Sequence, residues 1–157
     1  MKLRWKQWLL LSLLPVLATA QVREKEEAVD LDLDALRWEK RVLVLFSPSE
    51  SDPSFQSQKQ DLVSRPLELL DRDLIILEIL EDGVSRAADR VLSKNAVKGI
   101  RSRFGVPSGV FQVLLVGKDG TVKLRSTEPV PARDIFRLID SMPMRRQEME
   151  RKGKSSS

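Results

Sequence analysis

Three stretches of the chain are apolar at nearly every position, and they set its frame. They are Arg41-Val42-Leu43-Val44-Leu45-Phe46, Leu74-Ile75-Ile76-Leu77-Glu78-Ile79-Leu80 and Val110-Phe111-Gln112-Val113-Leu114-Leu115-Val116. Each carries too little polarity for a strand with one wet face, which predicts strands of a sheet covered on both sides. A fourth stretch behaves differently. Thr121-Val122-Lys123-Leu124-Arg125 alternates, as a half-exposed antiparallel strand does. Gly117-Lys118-Asp119-Gly120 before it is a tight-turn sequence, because Asp-Gly tolerates the positive φ of a hairpin.

Between the strands the apolar period lengthens. Asp52-Pro53 is a helix start, with a side-chain cap and proline at the first helical position. Phe55, Lys59, Leu62 and Val63 follow at helical spacing until Pro66 interrupts, and Leu67, Leu69 and Leu70 add an apolar end. From Val84 to Phe104, Ala87, Ala88, Val91, Leu92, Val97, Ile100 and Phe104 recur at spacings of three and four, which argues for helix. Asn95 and Gly99 weaken one unbroken helix, so the firmer piece is expected to start at a Ser93 cap and end before Gly105. Pro131 opens a last helix with Ile135, Phe136, Leu138, Ile139 and Met142 on its apolar side, and Pro143 is expected to stop it. Asp30 to Trp38 reads as an acidic-apolar lead-in with a short helical turn.

The order is strand, helix, strand, helix, strand, hairpin strand, helix. That is the element order of a thioredoxin-like domain: a single three-layer α/β unit with a central mixed sheet of about four strands and flanking helices. Other small three-layer α/β sheets share the order.

Particular residues narrow the choice. Arg103-Phe104-Gly105-Val106, then Val113 to Val116, then Lys118-Asp119-Gly120, is similar to the second half of thioredoxins. There an aromatic-Gly-aliphatic motif precedes a core strand and a Lys-Asn/Asp-Gly turn follows it. More specifically, Leu115 to Arg125 together with Ile139-Asp140-Ser141-Met142-Pro143-Met144-Arg145-Arg146 resembles the DUF4174 family, a domain of unknown function. The resemblance covers about Leu33 to Arg151 and implies a thioredoxin-like fold. It also implies company with small exported bacterial proteins and with secreted vertebrate matrix-associated ones, including sushi-repeat proteins.

The ends add a compartment. Lys2, Arg4 and Lys6, the apolar run Leu9 to Leu14 and Ala18-Thr19-Ala20 have the layout of a cleaved signal peptide over residues 1–20. The apolar run is short of the ~20 residues that span a bilayer. Residues 21–32 are expected as a charged leader, 33–144 as the domain, and 145–157 as a basic, disordered tail. Without the three basic residues of segment 1–20 the formal net charge falls from +4 to +1, so the basic pI is no nucleic-acid footprint. The chain reads as exported, periplasmic or extracellular, with no membrane span after cleavage.

The chain has no cysteine and no histidine. Thiol redox chemistry, the usual general base near neutral pH and the commonest metal ligand are therefore missing. In thioredoxins the loop after the first core strand carries the reactive cysteines at a helix N-terminus. Here that loop offers Ser47, Ser49, Ser51 and Ser54 with Glu50 and Asp52, and a serine hydroxyl cannot replace a thiolate in disulfide exchange. No cofactor, metal or catalytic residue is expected. Glu78, Glu81 and Asp82 read as a solvated strand end rather than a carboxylate metal site, and Met142-Pro143-Met144 as a helix stop against the core.

Two candidate binding regions remain. One is the rim Ser47, Ser49, Ser51 and Asp52. The other is a basic face of Lys123 and Arg125, joined by Arg145 and Arg146 if the last helix lies alongside. The expected activity is recognition of a protein, peptide or envelope polymer. The alternative is a degenerate peroxiredoxin-like or reductase-like enzyme acting without thiols.

Overall fold

The first apolar run becomes the centre of the sheet because it can be buried on both faces. In the computed structural model, which describes residues 27–155, β1 (Arg41–Ser49) pairs with β2 (Leu74–Asp82) in parallel and with β5 (Gln112–Val116) antiparallel. β6 (Val122–Ser126) adds antiparallel to β5. On the other side, β3 (Arg86–Ala87) and β4 (Arg90–Val91) form a short hairpin on β2. Among the described residues the sheet therefore has six strands in the order β4-β3-β2-β1-β5-β6 rather than about four. The proposed signal segment 1–20 and residues 21–26 of the leader lie outside the described residues.

Alternation along the inner strands sorts the core into two layers. Leu43, Leu45, Val113 and Leu115 face α1 (Pro53–Val63) and α4 (Ala132–Ser141), meeting Phe55, Leu62, Ile135 and Ile139. Val42, Val44, Phe46, Leu114 and Val116 face α3 (Lys94–Phe104), meeting Ala96 and Ile100. Each fully buried aliphatic side chain contributes about 1.5–3 kcal/mol, so the two layers dominate the stability of a chain with no cross-link.

The local start and stop signals act where the sequence places them. Asp52 accepts from the Phe55 N–H (2.9 Å) and opens α1. Ser93 accepts from Ala96 N–H (3.1 Å) and opens α3, and Gly105, at φ +60, ends it in the left-handed conformation. Pro131 has no side chain with which to cap α4, and Asp61 of α1 supplies the acceptor instead, 2.7 Å from Ala132 N.

Two expectations fail. The helical spacing of Ala87, Ala88, Val91 and Leu92 is not helix; Gly83 at φ +125 turns the chain and the β3–β4 hairpin pairs against β2. Pairing to an open sheet edge outweighs a weak local period. Residues 145–155 are not an irregular tail. Pro143 ends α4 but serves as the first residue of α5, Pro143–Ser155. Before that, α2 (Pro66–Asp71) is a separate short helix.

Candidate functional site

The C-terminal end of β1 is where this fold usually works, and here its polar groups are mutually engaged. Ser47 is buried and donates to the Ser49 carbonyl (2.8 Å). The Ser49 and Ser51 hydroxyls lie 3.0 Å apart. Asp52 fills the α1 N-terminus, and Gln56 Nε2 donates to the Glu50 carbonyl (2.6 Å). A hydroxyl needs a neighbouring base to become a nucleophile. None of these partners is one, since Ser47 and Ser49 face a carbonyl and another hydroxyl.

The acids at the end of β2 are separated by the strand's alternation. Glu78 meets Lys59 (2.9 Å), on the α1 side. Glu81 accepts from Gly109 N–H (2.8 Å) and stands 3.3 Å from Arg101 Nη1, on the α3 side. Among the described residues no three acids converge on a point that could hold a metal ion. The rim of Ser49, Glu50 and Ser51 therefore presents hydroxyls and one carboxylate around a helix start where Asp52 already accepts from the Phe55 and Gln56 N–H groups.

The proposed basic face is divided. β6 carries an irregularity: Leu115 pairs with Leu124 but Val116 pairs with Val122, which leaves Lys123 as an extra residue. Lys123 then bonds to Asp119 (2.7 Å) and lines a cavity with Leu138 and Met142. Arg125 reaches the opposite side, to Gln112 Oε1 (2.8 Å) and the Phe104 carbonyl at the end of α3 (3.1 Å). Arg145 is 3 % exposed. Its guanidinium holds Asp140 (3.1 Å) and the Asp71 carbonyl and carboxylate. Arg146 stays exposed on α5. The four residues do not share one surface.

Arg145 belongs instead to a charge network at the opposite end of the sheet. Arg41, 1 % exposed, donates from Nη1 and Nη2 to Glu148 (3.1 and 3.2 Å) and from Nη1 to the Arg72 carbonyl (2.8 Å). Lys118 joins Glu148 and Asp73, both at 2.8 Å. Arg72 holds Asp140 (2.6 Å) over the Phe136 ring. Burial alone would raise the Glu148 carboxyl, but the hydrogen bonds from Arg41 and Lys118 outweigh it and hold it below the usual range. Asp73 behaves in the same way through Lys118. Asp71 is lowered by its bonds to Lys152 and Arg145, against burial. The network fastens α5 to the start of β1.

The model of the domain of unknown function DUF4174 matches residues 32–148. The chain belongs to the DUF4174 family. It is 32 % identical to the coiled-coil domain-containing protein 80 of Danio rerio over 147 residues, covering 83 % of this chain and 17 % of that protein. It is 29 % identical to the sushi repeat-containing protein SRPX2 of Xenopus laevis, covering 69 % of this chain and 24 % of that one. The DUF4174 chain thus spans less than a third of the length of the curated relatives it matches. Among solved structures it is similar to a Plasmodium yoelii thioredoxin peroxidase I (TM-score 0.56, 17 % identity, 74 % of this chain and 80 % of that one). A reduced Plasmodium vivax 2-Cys peroxiredoxin gives TM-score 0.56 at 16 % identity, over 74 % and 85 % of the two chains. These identities show the fold alone, and the fold is thioredoxin-like. Among the described residues no helix of this DUF4174 domain is long and apolar enough to cross a membrane.

The sequence reading missed the residues that the structure makes most conspicuous. Arg41 stood at the head of an apolar run, where a charge reads as an exposed strand start, and Glu148 lay in the supposed tail. A weak signal existed for α3, where Lys94, Lys98 and Arg101 fall at helical spacing on one side.

Proposed function

We propose that this protein is an exported, non-redox interaction module that recognises a partner protein through the C-terminal rim of its sheet. The observation carrying this reading is the loop Ser47 to Asp52. A thioredoxin-like scaffold is retained, yet the position of its thiolates holds serines bonded to one another and to backbone, with Asp52 closing the helix N-terminus. Export rests on the layout of residues 1–20. The candidate rim consists of Ser47, Ser49, Ser51 and Asp52, with Ser47 and Asp52 shaping the loop and Ser49 and Ser51 presented to a partner. Of the basic residues, Arg125 lies on the α3 side of the sheet.

The similarity to peroxiredoxins favours no enzymatic reading, because fold does not transfer chemistry and the site residues differ. The test uses the whole protein. Insulin reduction with dithiothreitol and consumption of hydrogen peroxide are expected to run at the blank rate. A photo-crosslinking residue at Ser51 is expected to trap a partner from extract of the producing cells, whereas the same residue at Arg151, on α5 at the opposite end, is not. Turnover that disappears in Ser49→Ala or Ser51→Ala would overturn the proposal, as would equal trapping at both positions.

A further inference from the structure

Helix α3 has two polar faces, and only one of them is covered. On the first, the chain's own acidic-apolar segment is strapped across the helix. Ser93 Oγ donates to Asp30, and Arg103 donates to Asp34 (3.0 Å). Leu31, Leu33 and Leu36 turn inward against the core. The Arg103 hydrogen bond outweighs the small effect of burial and holds the Asp34 carboxyl below its usual range.

The second face carries Lys94, Lys98 and Arg101, one and two turns apart along the helix. They border a groove of about 650 Å³ between α3 and the turn after β2, within the size range of ligand clefts (about 300–1,000 Å³). Lys94 and Lys98 are exposed and form no ion pair among the described residues. Among the described residues Glu81 is the one acid lining the groove, and it is engaged by Gly109 N–H and Arg101. Arg101 Nη1 is near enough to Glu81 for an ion pair, but it is not aligned for a hydrogen bond and is a buried donor without one. The walls are apolar: Val91 and Val97 are half-buried, and Val84 is 51 % exposed among the described residues.

We propose that this groove binds an extended acidic-apolar peptide segment of another protein. Its carboxylates meet Lys94 and Lys98, with Arg101 holding Glu81 aside, while its aliphatic side chains cover Val84 and Val97. This rests on the interaction-module reading and adds where and with what chemistry the partner is held. Charge complementarity selects an acidic ligand, since Glu81 is committed to Arg101 and the groove keeps two exposed lysines with no ion pair among the described residues. The apolar wall selects a peptide over a sulfated glycan, because a hydrated sugar would leave Val84 and Val97 in contact with polar groups that gain nothing from them. The strap on the neighbouring face shows the same helix holding that chemistry, with carboxylates on its polar atoms and leucines beneath.

The probe is a short fluorescein-labelled peptide alternating aspartate and leucine, titrated with the full chain and read by anisotropy. Saturable binding that weakens from low to physiological salt is expected. The double variant Lys94→Glu/Lys98→Glu is expected to weaken it by about tenfold or more, and Val84→Asp to weaken it as well. Circular dichroism and the unfolding midpoint check that both variants fold. A peptide alternating lysine and leucine is expected not to bind. No saturable binding of the acidic peptide, or an affinity unchanged in the double variant, overturns the proposal. So does a heparin-type oligosaccharide that binds through the lysines while Val84→Asp has no effect on any ligand. Trapping of a partner at Ser51 that persists in Lys94→Glu/Lys98→Glu overturns the groove while leaving the interaction module standing.

Discussion

Glu148 is the residue on which the seating of α5 should depend, and Glu148→Ala isolates it. The substitution removes the acceptor for both terminal nitrogens of Arg41 and for Lys118. Arg41 keeps the Arg72 carbonyl and Lys118 keeps Asp73. The uncompensated cost falls mainly on a guanidinium that is 1 % exposed. Breaking a buried pair from one side costs about 3–5 kcal/mol. Glu148 is itself 19 % exposed, so water can enter the vacated space, and the lower bound of about 3 kcal/mol applies. Against a domain stability of about 5–15 kcal/mol this is a large fraction. With an m-value of about 2 kcal/mol/M, the urea midpoint should fall by about 1.5 M. Arg146→Ala, an exposed position on the same helix, should stay within about 0.5 kcal/mol. The pair Arg41→Met/Glu148→Met should recover most of the loss, because apolar side chains do not need a partner. A loss under about 1 kcal/mol in Glu148→Ala would show that the network is solvated and that α5 is held by something else.

The remaining predictions concern acid, caps and turns. Glu148, Asp71 and Asp73 have folded pKa values below their unfolded ones. Their stabilisation is therefore fully present above about pH 5 and is lost as pH falls through the folded values. The melting temperature measured from pH 6 to pH 3 should fall more steeply in the parent protein than in Glu148→Ala. Asp52→Ala removes the acceptor for the Phe55 N–H and should cost about 1 kcal/mol in chemical denaturation. Gly120→Ala should destabilise by about 1 kcal/mol or more, since Gly120 sits at φ +78 and a Cβ there collides with the Arg37 guanidinium; an unchanged midpoint would mean that the hairpin turn adapts. Ser49→Ala should change the unfolding free energy by less than about 0.5 kcal/mol in chemical denaturation, because its hydroxyl partner Ser51 is exposed.

What could be read in the chain follows the range over which the physics acts. The caps Asp52 and Ser93, the αL stop at Gly105 and the Asp119-Gly120 turn were legible because each is decided within a few residues. The doubly buried strands were legible because a run without polar positions has no wet face to offer. α5 was not. It lacks an apolar stripe, and its stability comes from Arg145 meeting Asp71 and from Glu148 meeting Arg41, a residue 107 positions away. Simple alternation placed Lys123 and Arg125 together, but the extra residue in β6 sends them to opposite sides of the sheet.

By itself, then, the sequence determined the buried strands, the helix starts, the family and the missing thiols. All of these depend on local pattern or on composition. Only the tertiary structure decided which charges are buried and which are left over. Arg41, Lys118 and Arg145 became structural because folding brought acids to them, and Lys94 and Lys98 became a candidate surface because, among the described residues, it brought none. An ion pair depends on distances set by the whole fold, and no spacing along the chain encodes them.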